Sequence, residues 1–474
     1  MDICTAGSTT MIENRVFAEL AIGESASITR TLTKEDIDLF AIVSGDVNPA
    51  HLDPAYAETD MFHKIIAHGM WGGALISSVL GTRLPGLGTI YLGQELRFRR
   101  PIGIGDTITT TVTVQEKHPE TGNVILDCIC TNQDGKPVIT GKAEVRAPTE
   151  KLCRQSIQLP DLRFSRHEHY QRLLARAAGG APEPTAIVHP CDSASLSGAL
   201  EAAKVGLIIP ILVGPEPKIR AVAIAGGFDL TGIRIVDTPH SHASAEQAVA
   251  LVRCGEATLL MKGSLHTDEL MHEVIAPTTG LRTARRVSHV YLMDVPSYPR
   301  PLLITDAAIN VAPSLEEKRD IIQNAIDLAH ILGIEMPKVA VLSAVETLNP
   351  KLQSTLDAAA LSKMADRGQI TGALVDGPLA FDNAISEAAA KDKGINSAVA
   401  GRADIVVVPD LESGNMLAKQ LTFLAGADGA GVVLGARVPI ILTSRADSER
   451  TRIASCAVAV LMARAALNTL GPKS

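Results

Sequence analysis

Residues 68–80 constrain the fold of this chain more than any other stretch. They read as a helix, yet they contain Gly69, Gly72, Gly73, Ala74, Ser77 and Ser78. Each interior glycine costs a helix about 1 kcal/mol relative to alanine, so a helix of this composition does not stand alone. Tertiary packing must hold it, and its small side chains let a sheet approach closely. The flanking sequence supplies that sheet. Ile90, Leu92, Gln94, Leu96 and Phe98 alternate with polar or small residues, as do Ile108, Thr110, Val112 and Val114. A period of two marks half-buried antiparallel strands. Residues 14–30 also read as strand, and runs 124–131 and 137–146 flank Asn132-Gln133-Asp134-Gly135, whose Asp-Gly step marks a hairpin turn. The expected first domain is a sheet wrapped around one buried helix.

Ahead of that helix lies Val43-Ser44-Gly45-Asp46-Val47-Asn48-Pro49-Ala50-His51, with a carboxylate, an amide and an imidazole close together. Pro49 lacks an N–H and holds Asn48 extended, so no regular helix continues through it. A turn here can aim Asp46 and His51 at one point, where a proton could be moved. It can equally be an Asx-turn capping a helix, with His51 exposed.

The chain has 474 residues, with 46% hydrophobic and 20% charged residues, which excludes a disordered or fibrous protein and allows two to four domains. Its formal net charge of -8 argues against nucleic acid as the main partner. The 7 cysteines contain no CxxC pair, which fits a reducing cytoplasm better than a disulfide framework or a zinc site. No secretory leader and no membrane-spanning run is expected.

The pattern breaks over 149–183, where a charged helical stretch, 166–178, leads to Gly179-Gly180-Ala181-Pro182-Glu183-Pro184. This reads as a linker. Apolar runs at 185–189, 207–213, 257–261, 338–342, 405–408, 431–434 and 439–442 then alternate with helical stretches at 194–204, 245–254, 314–332, 354–366, 415–423 and 449–470. Such alternation predicts an α/β domain with a mostly parallel sheet, divided into two lobes with a cleft. Polar clusters fall near strand ends, where ligands of such sheets usually sit: Lys262-Gly263, Gly280-Leu281-Arg282-Thr283, Asp376-Gly377-Pro378 and Thr443-Ser444-Arg445-Ala446-Asp447. Arg285 and Arg286 read as a solvated charge pair.

The blocks SGDVNPAH (44–51), IAHGMWGGALISSVLG (66–81) and IYLGQELRFRRPIGIGD (90–106) resemble the MaoC-like (R)-specific enoyl-CoA hydratases. The resemblance implies a hot-dog domain over 14–148, with Asp46 and His51 as a catalytic dyad sharing one water. It also implies that Asn48 shapes the loop, that the Gly69 N–H binds the thioester oxygen and that Ser77 lies near the dyad. His63 and His68 are expected to be structural or surface histidines. Arg97, Arg99 and Arg100 read as a solvated face.

The rest of the chain, 184–474, resembles the phosphate acetyl/butyryltransferases. It does so through MKG (261–263), GLRT (280–283), VSHV (287–290), the long block 344–370, VDGPLAFDNAIS (375–386), AGRADIVVVPDLESGNMLAK (400–419) and PIILTSRADS (439–448). The long block looks nearer to the butyryl-specific members. The resemblance implies an isocitrate/isopropylmalate dehydrogenase-like fold and acyl transfer between CoA and phosphate. Ser444 and Arg445 match the catalytic pair and Arg282 a second phosphate arginine, while Lys262, Asp376 and Asn415 match family blocks as binding residues. One departure is Thr451, which stands where studied members carry an aspartate proposed as the base, leaving Asp447 or Glu449 as substitutes. Taken together, the expectations are acyl-CoA and phosphate as substrates, no metal or other cofactor, a cytoplasmic homo-oligomer, and two activities on one chain. A second reading makes the second domain a non-catalytic acyl-CoA sensor, and another makes the first a thioesterase.

Overall fold

The computed structural model describes residues 11–155, 157, 168–444 and 447–470, divided into two compact units, Met1–Asp161 and Leu162–Ser474. In the first unit an antiparallel sheet of 5 strands runs in the order Ser25–Thr31, Thr107–His118, Asn123–Thr131, Pro137–Arg146, Ile90–Phe98. The helix Gly69–Thr82 buries Trp71, Leu75, Ile76, Val79 and Leu80 in one core with Val112, Leu126 and Ile139 of the sheet. Its small residues are where contact is tightest. A Cβ on Gly72 would stand 2.2 Å from Ile139 Cδ1, and one on Gly73 3.3 Å from Leu96 Cδ1. The fold is thus hot-dog-like, and the hairpin closes at Gly135, whose φ is +73°.

Residues 14–30 form less strand than expected. Fully buried Asn14 interrupts them, donating to Leu87 O and Glu150 O (2.9 Å each) and accepting from Leu152 N (2.8 Å). Just before it, Met11–Glu13 pairs with Cys153–Gln155, so the first unit extends on both sides of 14–148.

The expected linker also divides differently. The helix Glu168–Ala178 places Leu173 and Ala177 in the core of the second unit, so its charges line one face of a packed helix.

In the second unit one sheet of 11 strands runs in the order 234–237, 208–214, 183–188, 259–262, 440–441, 428–434, 288–294, 302–305, 405–407, 338–342, 374–379. Parallel pairing on both flanks gives the expected mostly parallel sheet. The centre is different: Asp428–Leu434 is antiparallel to both neighbours, and Ser288–Asp294 is antiparallel to Leu302–Thr305. The two parallel flanks therefore point in opposite directions, and the expected lobes share one continuous sheet. Strand Leu374–Leu379 continues through Pro378, which an edge strand tolerates because its outer N–H positions need no partner. Among the described residues no helix is long and apolar enough to cross a membrane.

Gly141 tests the close sheet packing. A Cβ there would lie 1.8 Å from Glu95 O, across the pairing of Pro137–Arg146 with Ile90–Phe98. Gly141→Ala is expected to destabilise the first unit by about 1–3 kcal/mol or more through overpacking. In calorimetry its transition should fall while that of the second unit stays in place.

Candidate active sites

In the first unit the site is assembled by caps. Thr33 and Asp36 form a capping box that starts helix Lys34–Ser44, and Gly45 ends it in the left-handed conformation, with φ 74°. The chain then turns: Asp46 Oδ1 accepts from Asn48 N (3.2 Å), and Asn48 Oδ1 accepts from Ala50 N (3.1 Å), capping the short helix Pro49–Leu52. The Asx-turn and the aimed pair are both present, because the turn is what does the aiming. His51 Nδ1 faces Ile66 O at 2.9 Å. A carbonyl only accepts, so Nδ1 carries the hydrogen in the neutral ring and Nε2 is left as the basic nitrogen.

His68, expected to be a structural or surface histidine, is buried. It is 2% exposed, its Nε2 faces Asp46 O at 3.0 Å, and its ring lies 4.0 Å from that of His51 between centroids. One carboxylate oxygen of Asp46 and one ring nitrogen from each of His51 and His68 fall within 4.8 Å of one another. These donor types suit a divalent metal as well as proton transfer. Sequence order held the missing signal, since His68 directly precedes Gly69 at the helix start. Gly69 opens that helix, where first-turn N–H groups have no carbonyl within the helix, and a Cβ there would come within 3.0 Å of Phe98.

His51, His68, Gly69, Phe98, Arg99 and Arg100 line a cavity of about 270 Å³. Ser77 does not line it. Two turns further along the helix, it borders a separate cavity of about 440 Å³ with Phe40, Met70 and Tyr91. Exposed His63 caps its own turn, its Nδ1 facing Glu58 O at 3.0 Å.

In the second unit the candidate residues divide into three places. Ser444 follows strand Ile440–Ile441, next to Leu259–Lys262 in the sheet, which brings Lys262 close. Asp447 Oδ2 accepts from Ser444 N at 2.6 Å, and Asp447 N donates back to Ser444 O at 3.2 Å. Burial pushes the Asp447 carboxyl above its ordinary value, opposed by the Ser444 N–H and the charges of Arg452 and Lys262. Thr451 points its hydroxyl at Ser448 Oγ, 3.0 Å away, and Glu449 is exposed. Arg445 lies outside the described residues.

Arg282 pairs with Ala436, beyond the opposite end of strand Ile440–Ile441 from Ser444. There it lines a cleft of about 930 Å³ with Arg285, Arg286, Arg319 and Asn310. Arg285 and Arg286 are engaged, not simply solvated: Arg285 pairs with Asp327, and Arg286 with Glu317 (3.0 Å) and Asn310 Oδ1 (2.7 Å). Asn415 borders this region, donating to Ala307 O at 3.3 Å from the helix whose first residue, Leu411, lines the cleft. Asp376 is brought to neither place. It sits on the edge strand, with strands 428–434, 288–294, 302–305, 405–407 and 338–342 between it and Ile440–Ile441. Its carboxylate accepts from Gly377 N.

With this geometry in place, similarity to known families can be added. Residues 19–127 match the family described as "MaoC like domain", and residues 241–460 match "Phosphate acetyl/butaryl transferase". The chain belongs to the phosphate acetyl/butyryltransferase family through its second unit and carries a MaoC-like domain in its first. A phosphate acetyltransferase of Rhizobium meliloti is 66% identical over 294 residues, covering 62% of this chain and 93% of that protein. A branched-chain phosphotransacylase structure from Enterococcus faecalis is 31% identical with a TM-score of 0.53, covering 59% of this chain and 99% of its own. An R-hydratase structure from Pseudomonas aeruginosa is 47% identical with a TM-score of 0.32, covering 33% of this chain and all of its own (100%).

His289, on strand Ser288–Asp294, is fully buried. Its ring meets Tyr291 edge-on at 4.4 Å, and burial drives it from 6.5 down to about 3. Between those values an unfolded chain holds a proton that the folded one refuses, so stability falls as pH drops through this window. The full difference is on the order of a few kcal/mol. In His289→Leu, calorimetric melting of the second unit should therefore lose less between pH 7 and pH 4.5 than in the parent chain. Equal losses in the two proteins would remove His289 from the acid response.

Proposed function

We propose that the chain carries two acyl-CoA activities: reversible hydration of a short 2-enoyl-CoA to its (R)-3-hydroxyacyl-CoA, and reversible transfer of a short acyl group, acetyl or butyryl, between CoA and phosphate. The observation behind the first is the convergence of Asp46 and His51 beside the start of the Gly69–Thr82 helix. As water attacks C3, negative charge develops on the thioester oxygen, and the Gly69 N–H at a helix N-terminus is suited to stabilise it. His51 Nε2 and the Asp46 carboxylate share the water: its hydroxyl goes to C3, and C2 receives a proton through the pair. Arg99 and Arg100, which line the cavity, would meet CoA phosphates. The chemistry calls on no cofactor.

For transfer, a phosphate oxygen attacks the thioester carbonyl carbon, the C–S bond breaks, and CoA leaves as the thiolate. The Ser444 hydroxyl is assigned to the sulfur, and Arg445 to the phosphate and carbonyl oxygen. Lys262 adds positive charge at the same strand ends. In the reverse direction a base must take the thiol proton. Asp447 fits this role better than Glu449, because it is bonded to Ser444 N and its carboxyl is raised by burial. Arg282 and Asn415 border the cleft, where Arg282 would meet a phosphate of CoA among Asp268, Glu316, Glu317 and Asp320, which line the same cleft.

The deciding assay supplies acetyl-CoA or butyryl-CoA with and without phosphate and follows CoA release with a thiol reagent. Phosphate-dependent release is expected, and its absence would overturn the transfer reading. With acyl phosphate and CoA supplied instead, Asp447→Asn should lower formation of acyl-CoA by about 10²-fold or more while hydration continues. Asp46→Asn should do the reverse, abolishing crotonyl-CoA hydration, read from loss of enoyl absorbance, with phosphate-dependent transfer intact. Loss of both activities in a folded Asp46→Asn variant would contradict separate sites.

A further inference from the structure

We infer that His68 is a positioning residue of the hydration site, acting through its ring rather than as scaffold; this rests on the hydratase reading above. His68 occupies the N-cap of helix Gly69–Thr82 without capping it by its side chain. An N-cap residue ordinarily accepts from the first-turn N–H groups. This one instead reaches back 22 residues, its Nε2 facing Asp46 O at 3.0 Å. Because the carbonyl only accepts, Nε2 carries the hydrogen, which is the opposite tautomer from His51.

Two further contacts show what the ring does. It lies 4.0 Å from the His51 ring, tilted by 36°, and 5.1 Å from the Phe40 ring. A single buried imidazole thus ties the Asp46 loop to the helix that presents Gly69 and limits how His51 can tilt. All three proposed reacting groups are referenced to it. The arrangement carries a cost, since His68 Nδ1 is buried with no protein hydrogen-bond partner. A residue kept only for packing would not need that nitrogen, and a phenylalanine would fill the space without it.

The test compares His68→Phe with His68→Gln in the full chain, using crotonyl-CoA hydration. Phenylalanine keeps the bulk and the stacking but cannot donate to Asp46 O, whereas a glutamine amide nitrogen can take the place of Nε2. His68→Phe is expected to lower kcat by roughly 10- to 100-fold with little change in KM, since small displacements of catalytic groups are costly. Its first-unit melting temperature should hold or rise. His68→Gln should regain a clear part of the lost kcat. Undiminished kcat in His68→Phe would overturn the inference, as would equal losses in both folded variants. If His68→Phe fails to fold, the Gln variant is compared with His68→Asn, whose amide cannot reach the Nε2 position, and equal activity in those two would overturn it. Absence of hydration in the parent chain would instead overturn the hydratase reading, and this inference with it.

Discussion

The close approach of a sheet to a glycine-rich helix is the constraint on which the first unit depends. Gly72 and Gly73 have no side chains to hold Ile139 and Leu96 away, so the helix Gly69–Thr82 sinks into the core to a depth larger residues would prevent. Burial compensates for a helix propensity that is poor along the whole segment. The depth also has a chemical consequence. With one face packed on the sheet, the helix presents its N-terminal turn beside a small cavity, where the Gly69 N–H has no carbonyl within the helix. On the hydration reading, the packing that makes the fold possible would also provide a place for developing negative charge.

In the second unit the reversal at the centre of the sheet plays the comparable part. Were every strand parallel, all polar strand ends would face one edge, and Lys262, Arg282, Asp376 and Ser444 could share one crevice. The antiparallel strand Asp428–Leu434 and its partner Ser288–Asp294 separate them. Lys262 and Ser444 remain neighbours because their strands are adjacent and parallel. Arg282 arrives at the other end of strand Ile440–Ile441, and Asp376 belongs to the oppositely directed flank. Proximity to a strand end is thus not proximity to a site unless the direction of the strand is known.

That distinction marks how far the sequence could be read. Period-two alternation and the small-residue helix made the first unit legible, because both follow from local side-chain geometry. The strand Lys338–Leu342 and the helix Glu449–Leu470 were legible for the same reason. The direction of pairing at residues 288–305 and 428–441 was not, since an apolar run looks alike whichever way its neighbour runs. Asn14 was read as strand because nothing local shows that its amide bonds to residues 87, 150 and 152. His68 was set aside on similar grounds: its partner, Asp46 O, is a backbone atom 22 residues away, and no side-chain pattern announces it.

On the proposed reading, both candidate sites meet the same physical problem. A thioester carbonyl gains negative charge on oxygen whether water adds at C3 or phosphate adds at the carbonyl carbon, and that oxygen needs donors fixed in advance. The first unit fixes them with backbone and hydrogen-bonded rings, where His51 Nδ1 and His68 Nε2 each face a carbonyl that dictates the tautomer. The second unit relies on charge, with Lys262 beside Ser444 and with Asp447 drawn in by the Ser444 N–H. The difference follows from the attacking species. Water is neutral and must lose a proton at the moment of attack, so the first site needs a poised base more than a cation. Phosphate brings its own negative charge, so the second site must first gather two anions, and its basic residue is required only when CoA returns as a thiol.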